Sequence, residues 1–234
     1  MKKLMVVGGH SGDEAVMAGP IAARLIREGG SAVFVSLTNG DGGHPTLGRA
    51  EYAPQKDREA HAAAAHLGAE CVLFPISSGM LAVSPEQERA LATLIRRYTP
   101  DTVLTHWKDS IHRDHTAAYH ITVNALRLAA SPAFEDGQEP HRGARLLFGD
   151  NWEDAENFRP EEYIAFSEED EAVWLAACSE FEFFREGFYD FRYRTYYEAL
   201  HRMRGALAMR SGAKLPLAVA VATAPRSFYA ITVS

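Results

Sequence analysis

Two short segments of this sequence concentrate residue types that bind metal ions. In the first, an apolar run passes through two glycines into His10 and, three residues later, Asp13. The second runs from Thr105 to His115 and holds three histidines and two aspartates in eleven residues. Imidazole nitrogens and carboxylate oxygens are common ligands of zinc. His10, Asp13 and one histidine of the second segment would leave a fourth position open for water, which is typical of a catalytic zinc site.

The elements around these segments predict an α/β fold. Over the first 130 residues, short β-rich runs alternate with longer segments of helical periodicity. This alternation indicates βαβ units and a Rossmann-like, mostly parallel sheet with helices on both faces. The predicted strands are Lys3 to Val7, Ala32 to Leu37, Cys71 to Phe74 and Thr102 to Thr105, and the predicted helices are Ala15 to Glu28, Pro54 to Leu67, Pro85 to Tyr98 and His115 to about Leu128.

Both metal-binding segments directly follow strands of this predicted sheet. In an open parallel sheet, ligands bind outside the carboxyl ends of the strands. The two segments would therefore meet if the first and fourth strands are neighbours. A dinucleotide site fits the glycine-rich turn less well, because the third glycine of the usual pattern is missing and Asp13 would repel a phosphate.

The remainder of the chain carries fewer signals. We expect one domain over residues 1–234, with a motif-bearing half at 1–130 and a variable part at 131–234. Further strands are predicted at Leu146 to Phe148, Tyr163 to Phe166, Leu217 to Ala222 and Ser227 to Val233. An aromatic cluster between Phe181 and Tyr197 is typical of a packed core or a subunit contact, so a homo-oligomer is compatible with the sequence.

The bulk composition excludes several classes of partner. A net charge of -7 and a pI near 5.8 give no attraction to nucleic acid or to anionic lipid. Apolar runs fall far short of the roughly 20 residues that a transmembrane helix needs. The N-terminal segment lacks the features of a signal peptide, so we expect a cytoplasmic protein. Cys71 and Cys178 lack a CxxC spacing and are interpreted as reduced bystanders.

The paired motifs resemble those of the LmbE-like, or PIG-L-type, N-acetylglucosaminyl deacetylase family. The resemblance rests on the His10-Ser11-Gly12-Asp13-Glu14 turn, the Leu37 to Gly43 loop, the run from Arg58-Glu59-Ala60 to Leu67-Gly68, and the His112-Arg113-Asp114-His115 helix start. It covers roughly the first 130 residues. It implies the family's α/β fold, zinc as cofactor, and hydrolysis of a small N-acetylglucosamine-type or related N-acyl substrate.

The resemblance also implies individual roles. It assigns the metal to His10, Asp13 and His115, and places a protonated His112 near the substrate carbonyl with Asp114 orienting it. Arg58 and Asn39 are the corresponding substrate-binding candidates, although a surface salt bridge explains Arg58 nearly as well.

One departure from the family pattern concerns the general base. The family has an aspartate where this chain has Gly12, and glycine cannot accept a proton. Asp41, Asp109, Asp114 and Glu14 are the carboxylates that the sequence offers in its place. Two hypotheses follow: an N-deacetylase that uses another base, or a noncatalytic or retasked protein that binds a metal or sugar on the same fold. A nucleotide-binding domain is a third and weaker alternative.

Overall fold

A computed structural model describes residues 1–185, 190–225 and 228 of the chain. It contains a seven-stranded sheet in the order β3-β2-β1-β4-β5-β7-β6, in which β1 to β5 are parallel and β7 is antiparallel to both of its neighbours. The strands are β1 Lys3–Gly8, β2 Ser31–Ser36, β3 Glu70–Leu73, β4 Thr102–Thr105, β5 Arg145–Gly149, β6 Glu162–Phe166 and β7 Leu217–Thr223. The helices are α1 Asp13–Arg27, α2 Arg49–Leu67, α3 Pro85–Tyr98, α4 Arg113–Ala130, α5 Glu168–Cys178 and α6 Tyr193–Arg210. The predicted fold class is confirmed.

The sheet is covered on both faces because its strands are apolar on both sides. In β1, Leu4 and Val6 belong to the core beneath α1, α2, α5 and α6, whereas Met5 and Val7 belong to the core beneath α3 and α4. Successive side chains of a strand point to opposite faces, so one fully buried run serves both cores. None of the described helices has the length and apolar character of a membrane span.

The start of helix α2 and the last predicted strand differ from the prediction in what the structure describes. Helix α2 begins at Arg49, five residues before the predicted start at Pro54, because the Glu51 carboxylate accepts the Gly48 N–H and caps the helix earlier. Proline inside a helix removes one hydrogen bond, but the helix continues through it. The predicted strand over Ser227 to Val233 lies outside the described residues, apart from Phe228.

The sheet order brings the two metal-binding segments together. β1 pairs directly with β4, with Val7 opposite Thr105, and β5 lies on the other side of β4. The carboxyl ends of these three parallel strands therefore meet at one edge. The segment that follows β5 contains a single 3-10 turn, Trp152–Asp154, which lies at the same edge.

Candidate active site

Three side-chain atoms converge at the carboxyl edge of the sheet. His10 follows β1, Asp13 is the first residue of α1, and His115 lies in the first turn of α4. The His10 Nδ1 atom lies 3.3 Å from Asp13 Oδ2 and 3.2 Å from His115 Nε2, and the latter two atoms are 3.3 Å apart. Tetrahedral zinc with bonds of about 2.0 to 2.2 Å requires ligand atoms roughly 3.3 to 3.6 Å from one another. The three distances, 3.2 to 3.3 Å, lie at the lower end of this spacing.

Carboxylates behind the two histidines fix which ring nitrogens carry protons. Asp114 Oδ2 lies 3.1 Å from His10 Nε2, and Asp154 Oδ1 lies 2.9 Å from His115 Nδ1. With protons on these nitrogens, His10 Nδ1 and His115 Nε2 direct lone pairs at each other across 3.2 Å. Two facing acceptors need either a proton or a metal cation between them. The donor set therefore fits a metal ion, with the carboxylate support that metal-binding histidines usually have.

The electrostatics of the site also favour a positive charge. Burial and the neighbouring His106 would lower the pKa of His115, but Asp13 and Asp154 raise it to about 9. The pKa of Asp154 lies well below its ordinary range because the two histidine rings outweigh the effect of burial. The site thus places ionised carboxylates around one small volume. A divalent cation bound there would replace the protons that the histidine rings otherwise carry.

Asp154 supports two histidines at once, and sequence reasoning missed it. Its second oxygen lies 2.7 Å from His106 Nδ1, and His106 Nε2 accepts the Gly9 N–H at 2.9 Å. The His106 ring stacks on His115 with centroids 3.8 Å apart. His106 is therefore a packing partner of the ligand His115. The signal that could have found Asp154 is its position directly after the predicted strand Leu146 to Phe148, at the same sheet edge.

His112 and Asp114 are both at the site, but not in the expected relation. The Asp114 carboxylate contacts His10, and only the Asp114 backbone N–H reaches His112, whose Nδ1 accepts it at 3.2 Å. Burial, with the charges of His10 and His115, lowers the pKa of His112 to about 4. This lowered pKa disfavours the expected protonated His112 and favours a neutral ring with its proton on Nε2, since Nδ1 is an acceptor.

The other predicted residues lie away from the ligand atoms. Asp41 is buried and accepts bonds from Arg49, the Ser77 hydroxyl and the Ser78 N–H. The Asn39 side chain accepts the Asp41 N–H and so shapes its own loop.

Asp109 and Arg58 lie still farther out. Asp109 pairs with Lys108 at the surface, and Arg58 is exposed on the outer side of α2. The structure does not bring Asp109, Asn39 or Arg58 into the cleft lining that it describes. On α2 the inward position belongs to Lys56, because residues two apart lie about 200° around a helix from each other.

A cleft of about 530 Å³ opens above the ligand atoms. His112 and the loop glycines form one part of its lining, and Trp152, Phe191 and Tyr193 form an aromatic part. The Trp152 and Phe191 rings stack with centroids 4.3 Å apart. Arg49 and Lys56 add positive charge, whereas Glu153 and Asp190 add negative charge. The cleft is large enough for a small organic substrate.

Comparison with known proteins gives the family. The family model described as PIG-L, GlcNAc-PI de-N-acetylase, matches residues 5–126, which is just over half of the chain. The chain belongs to the PIG-L family. This result confirms the resemblance that the two motifs carry.

Two relatives that match part of this chain are named for different activities. A 4-oxalmesaconate hydratase of Pseudomonas putida is 31% identical over 59% of this chain and 57% of its own length. A 1D-myo-inositol 2-acetamido-2-deoxy-alpha-D-glucopyranoside deacetylase of Thermomonospora curvata is 26% identical over 62% of this chain and 59% of its own length. The matched part of the chain thus spans less than two thirds of either relative.

Solved structures show the same fold over nearly the whole chain. The 4-carboxy-2-hydroxymuconate hydratase of Pseudomonas putida KT2440 superposes with a TM-score of 0.85 at 22% identity, covering 97% of this chain and 98% of that one. The N,N'-diacetylchitobiose deacetylase of Pyrococcus horikoshii gives a TM-score of 0.80 at 18% identity, with 97% and 85% covered.

The position of the missing PIG-L base is closed to a side chain. Gly12 has a φ of 113°, in the region that favours glycine, and a Cβ atom there would lie 2.9 Å from both Cε1 and Cζ of Phe183. Real Cβ contacts are longer than this. The aromatic ring thus fills the space that an aspartate at position 12 would need.

Glu153 is a carboxylate at the ligand atoms that sequence reasoning did not select. Its Oε2 atom lies 3.6 Å from His115 Nε2, and its side chain lines the cleft. Burial raises the pKa of Glu153, and Asp13 acts in the same direction, although His115 opposes them. Glu14, by contrast, is buried behind Gly8 with its Oε2 on the Gly12 N–H. Glu153 is therefore better placed to exchange a proton with a group in the cleft.

Proposed function

We propose that this chain is a zinc-dependent hydrolase that removes an acyl group from the nitrogen of a small N-acyl substrate. The observation that carries the proposal is the convergence of His10 Nδ1, Asp13 Oδ2 and His115 Nε2 within 3.3 Å at the base of a cleft. The PIG-L match and the deacetylases among the relatives support the reaction type. Bound zinc would supply an acidified water and would polarise the substrate carbonyl.

The residues on either side of the ligands have complementary roles. Glu153, with its carboxylate 3.6 Å from a ligand atom, takes the proton from the attacking water. His112 donates its Nε2–H to the carbonyl oxygen as negative charge develops there, which a neutral imidazole can do. The protonated Glu153 then returns its proton to the departing nitrogen. The products are a free amine and a carboxylate.

Hydration of a conjugated unsaturated acid is a second candidate function. The support for this function is the Phe183 ring, which packs against Gly12. The ring occupies the space of an aspartate at position 12, so the absence of that carboxylate involves more than a single substitution. A relative at 31% identity is also named a hydratase. Glu153 and His112 would serve this reaction as well, since it too needs a base for water and a donor opposite it.

One set of assays distinguishes these functions. The metal content of the purified protein is measured first, and zinc should be retained by the wild type and lost in His115→Ala. Amine release from N-acyl sugars and N-acyl amino acids is then compared with loss of ultraviolet absorbance from conjugated unsaturated acids. Absorbance loss without amine release would assign hydration, and zinc binding with neither activity would favour the noncatalytic alternative.

The proposed base is tested in the same assays. Glu153→Gln should lower kcat by about 10² to 10⁴ while zinc remains bound. The matched control is Asp109→Asn, since Asp109 is a surface carboxylate paired with Lys108 outside the cleft, and it should leave the rate unchanged. A Glu153→Gln variant that keeps the wild-type kcat would contradict the assignment of the base.

A further inference from the structure

A buried lysine lies in the cleft wall and forms only a long ion pair within the described residues. The Lys56 side chain is 3% exposed and lines the cleft. Its Nζ atom lies 4.5 Å from the centre of the Phe181 ring and 4.7 Å from that of Phe183. Within residues 1–185, 190–225 and 228, Lys56 donates no hydrogen bond, and its nearest carboxylate is Glu59 at 4.0 Å.

The Glu59 Oε1 atom accepts bonds from the Gln55 side chain at 2.9 Å and from the Glu182 N–H at 3.2 Å. Its Oε2 atom faces Lys56 at 4.0 Å and accepts no hydrogen bond from the described residues, so the two charges are paired at a distance beyond hydrogen bonding. The aromatic rings stabilise the Lys56 ammonium but do not use its N–H donors. The long ion pair with Glu59 leaves the N–H donors of Lys56 unused within the described residues, and an anion that enters from the cleft can accept hydrogen bonds from them. Burial lowers the pKa of Lys56 to about 8, so the side chain is still charged at neutral pH.

The absence of a side chain at Gly40 leaves room for this lysine beside the neighbouring loop. A Cβ atom on Gly40 would lie 2.8 Å from Lys56 Cε and 3.0 Å from Ser11 Oγ, and Gly40 has a φ of 77°. Lys56 therefore passes directly beneath Gly40 and beside the turn that carries the metal ligands. Its ammonium is on the same side of the cleft as Phe183.

A second cation lies at the rim of the same cleft in a fixed orientation. Arg49 Nη1 donates to Asp41 Oδ1 at 2.8 Å and to the Ser78 carbonyl at 2.9 Å. These bonds hold the guanidinium plane, and among the described residues its Nη2 and Nε atoms have no partner. A planar guanidinium with free donors suits a carboxylate.

We propose that Lys56 and Arg49 form a carboxylate subsite, so that the substrate of this cleft carries an acidic group apart from its reacting carbon. The claim about the substrate rests on the proposed function, whereas the subsite itself does not. The acidic residues of the cleft, Glu153, Asp13 and Asp190, favour a carboxylate group, which brings one negative charge to the subsite, over a phosphate dianion, which brings two charges on one group and would be repelled more strongly.

The subsite is tested by binding, without turnover. Protein freed of metal with a chelator is titrated calorimetrically with glutarate, with its neutral diamide and with inorganic phosphate. Glutarate should bind more tightly than either of the others. Lys56→Met should weaken glutarate binding roughly 10- to 100-fold, as expected for a hydrogen bond to a charged group. Lys108→Met is the matched control, because Lys108 pairs with Asp109 outside the cleft, and it should have no effect.

Three results would overturn the subsite: equal binding of the diamide, equal or tighter binding of phosphate, or equal affinity for glutarate in Lys56→Met and Lys108→Met. Lys56→Met replaces the ammonium by an apolar group of similar length, so we expect the variant to fold, and a single cooperative thermal transition checks this. With metal restored, the variant should raise KM for acidic N-acyl substrates and leave KM for neutral ones unchanged. If glutarate binds through Lys56 and no amine is released, the subsite stands and the proposed hydrolase activity fails.

Discussion

The contact between Gly12 and Phe183 predicts a large cost for the smallest possible side chain. Gly12→Ala places a Cβ atom 2.9 Å from two atoms of the Phe183 ring, at a φ of 113°. A strained backbone conformation of this kind costs about 1 to 3 kcal/mol for a residue other than glycine. Overpacking a core costs about 1 to 3 kcal/mol more. The free energy of unfolding should therefore fall by roughly 2 to 6 kcal/mol.

A matched glycine separates these two costs. Gly29 has a φ of 86° but would place its Cβ atom with nothing within 4 Å, so Gly29→Ala has strain without a clash. In a chain of this size, 1 kcal/mol corresponds to about 2 to 4 °C in melting temperature. The clash alone should therefore lower the Tm of Gly12→Ala by about 2 to 12 °C relative to that of Gly29→Ala.

Replacing the ring tests the cause directly. In the Gly12→Ala background, Phe183→Leu should recover part of the lost stability in urea denaturation, because the smaller side chain relieves the contact. Equal melting temperatures for the two alanine variants, or no recovery with Phe183→Leu, would refute the reasoning. The same contact predicts that Gly12→Asp is not a simple repair of a missing base, since its carboxylate would have to displace Phe183.

Three further predictions concern the metal site and the pH dependence of stability. Asp154 accepts bonds from two histidine rings, so Asp154→Asn should weaken zinc affinity about 10- to 100-fold in a competition titration, whereas Asp109→Asn should not. Zinc at 100 times its Kd should raise the Tm of chelator-treated wild type by about 5 to 11 °C, with no such rise in His115→Ala. Although burial alone would raise it, the hydrogen bonds from Arg27 lower the pKa of Asp170. The contribution of ionised Asp170 to the free energy of unfolding is complete above about pH 3.9 and is lost as the pH falls through the lowered pKa. In acid, the stability of the wild type in urea should therefore approach that of Asp170→Ala.

The convergence of the proposed metal ligands could be predicted from the sequence because it depends on local order along the chain. His10 and His115 each follow a strand, and parallel strands place their carboxyl ends at one edge. The neighbouring position of β1 and β4 was the one condition that the sequence left open, and the sheet order meets it. The same reasoning applied to the strand Leu146 to Phe148 would have selected Glu153 and Asp154, which follow it within six residues.

The remaining features depend on contacts that sequence spacing does not contain. Phe183 lies 171 positions from Gly12, and nothing in either segment indicates that the ring packs on that turn. The choice between Lys56 and Arg58 depends on the rotation of α2 about its axis. A shift of two residues moves a side chain from the cleft to solvent, and the earlier start of the helix at Arg49 was not predicted.

This chain has Gly12 where the family pattern has an aspartate, and this difference changes which wall of the cleft can bind substrate. In the family pattern, the residue before Asp13 is the general base, so that wall handles protons. Here the Phe183 ring takes this space, and the same ring contacts the Lys56 ammonium. The proposed base, Glu153, comes instead from the turn that follows β5, next to His115. A wall made of an aromatic ring and a buried cation can hold the apolar and acidic parts of a ligand, but it cannot accept a proton. With Glu153 as the proposed base, the reacting carbon would lie between this wall and Glu153, and the proposed carboxylate subsite would favour an acidic substrate over a neutral sugar whichever bond the water attacks.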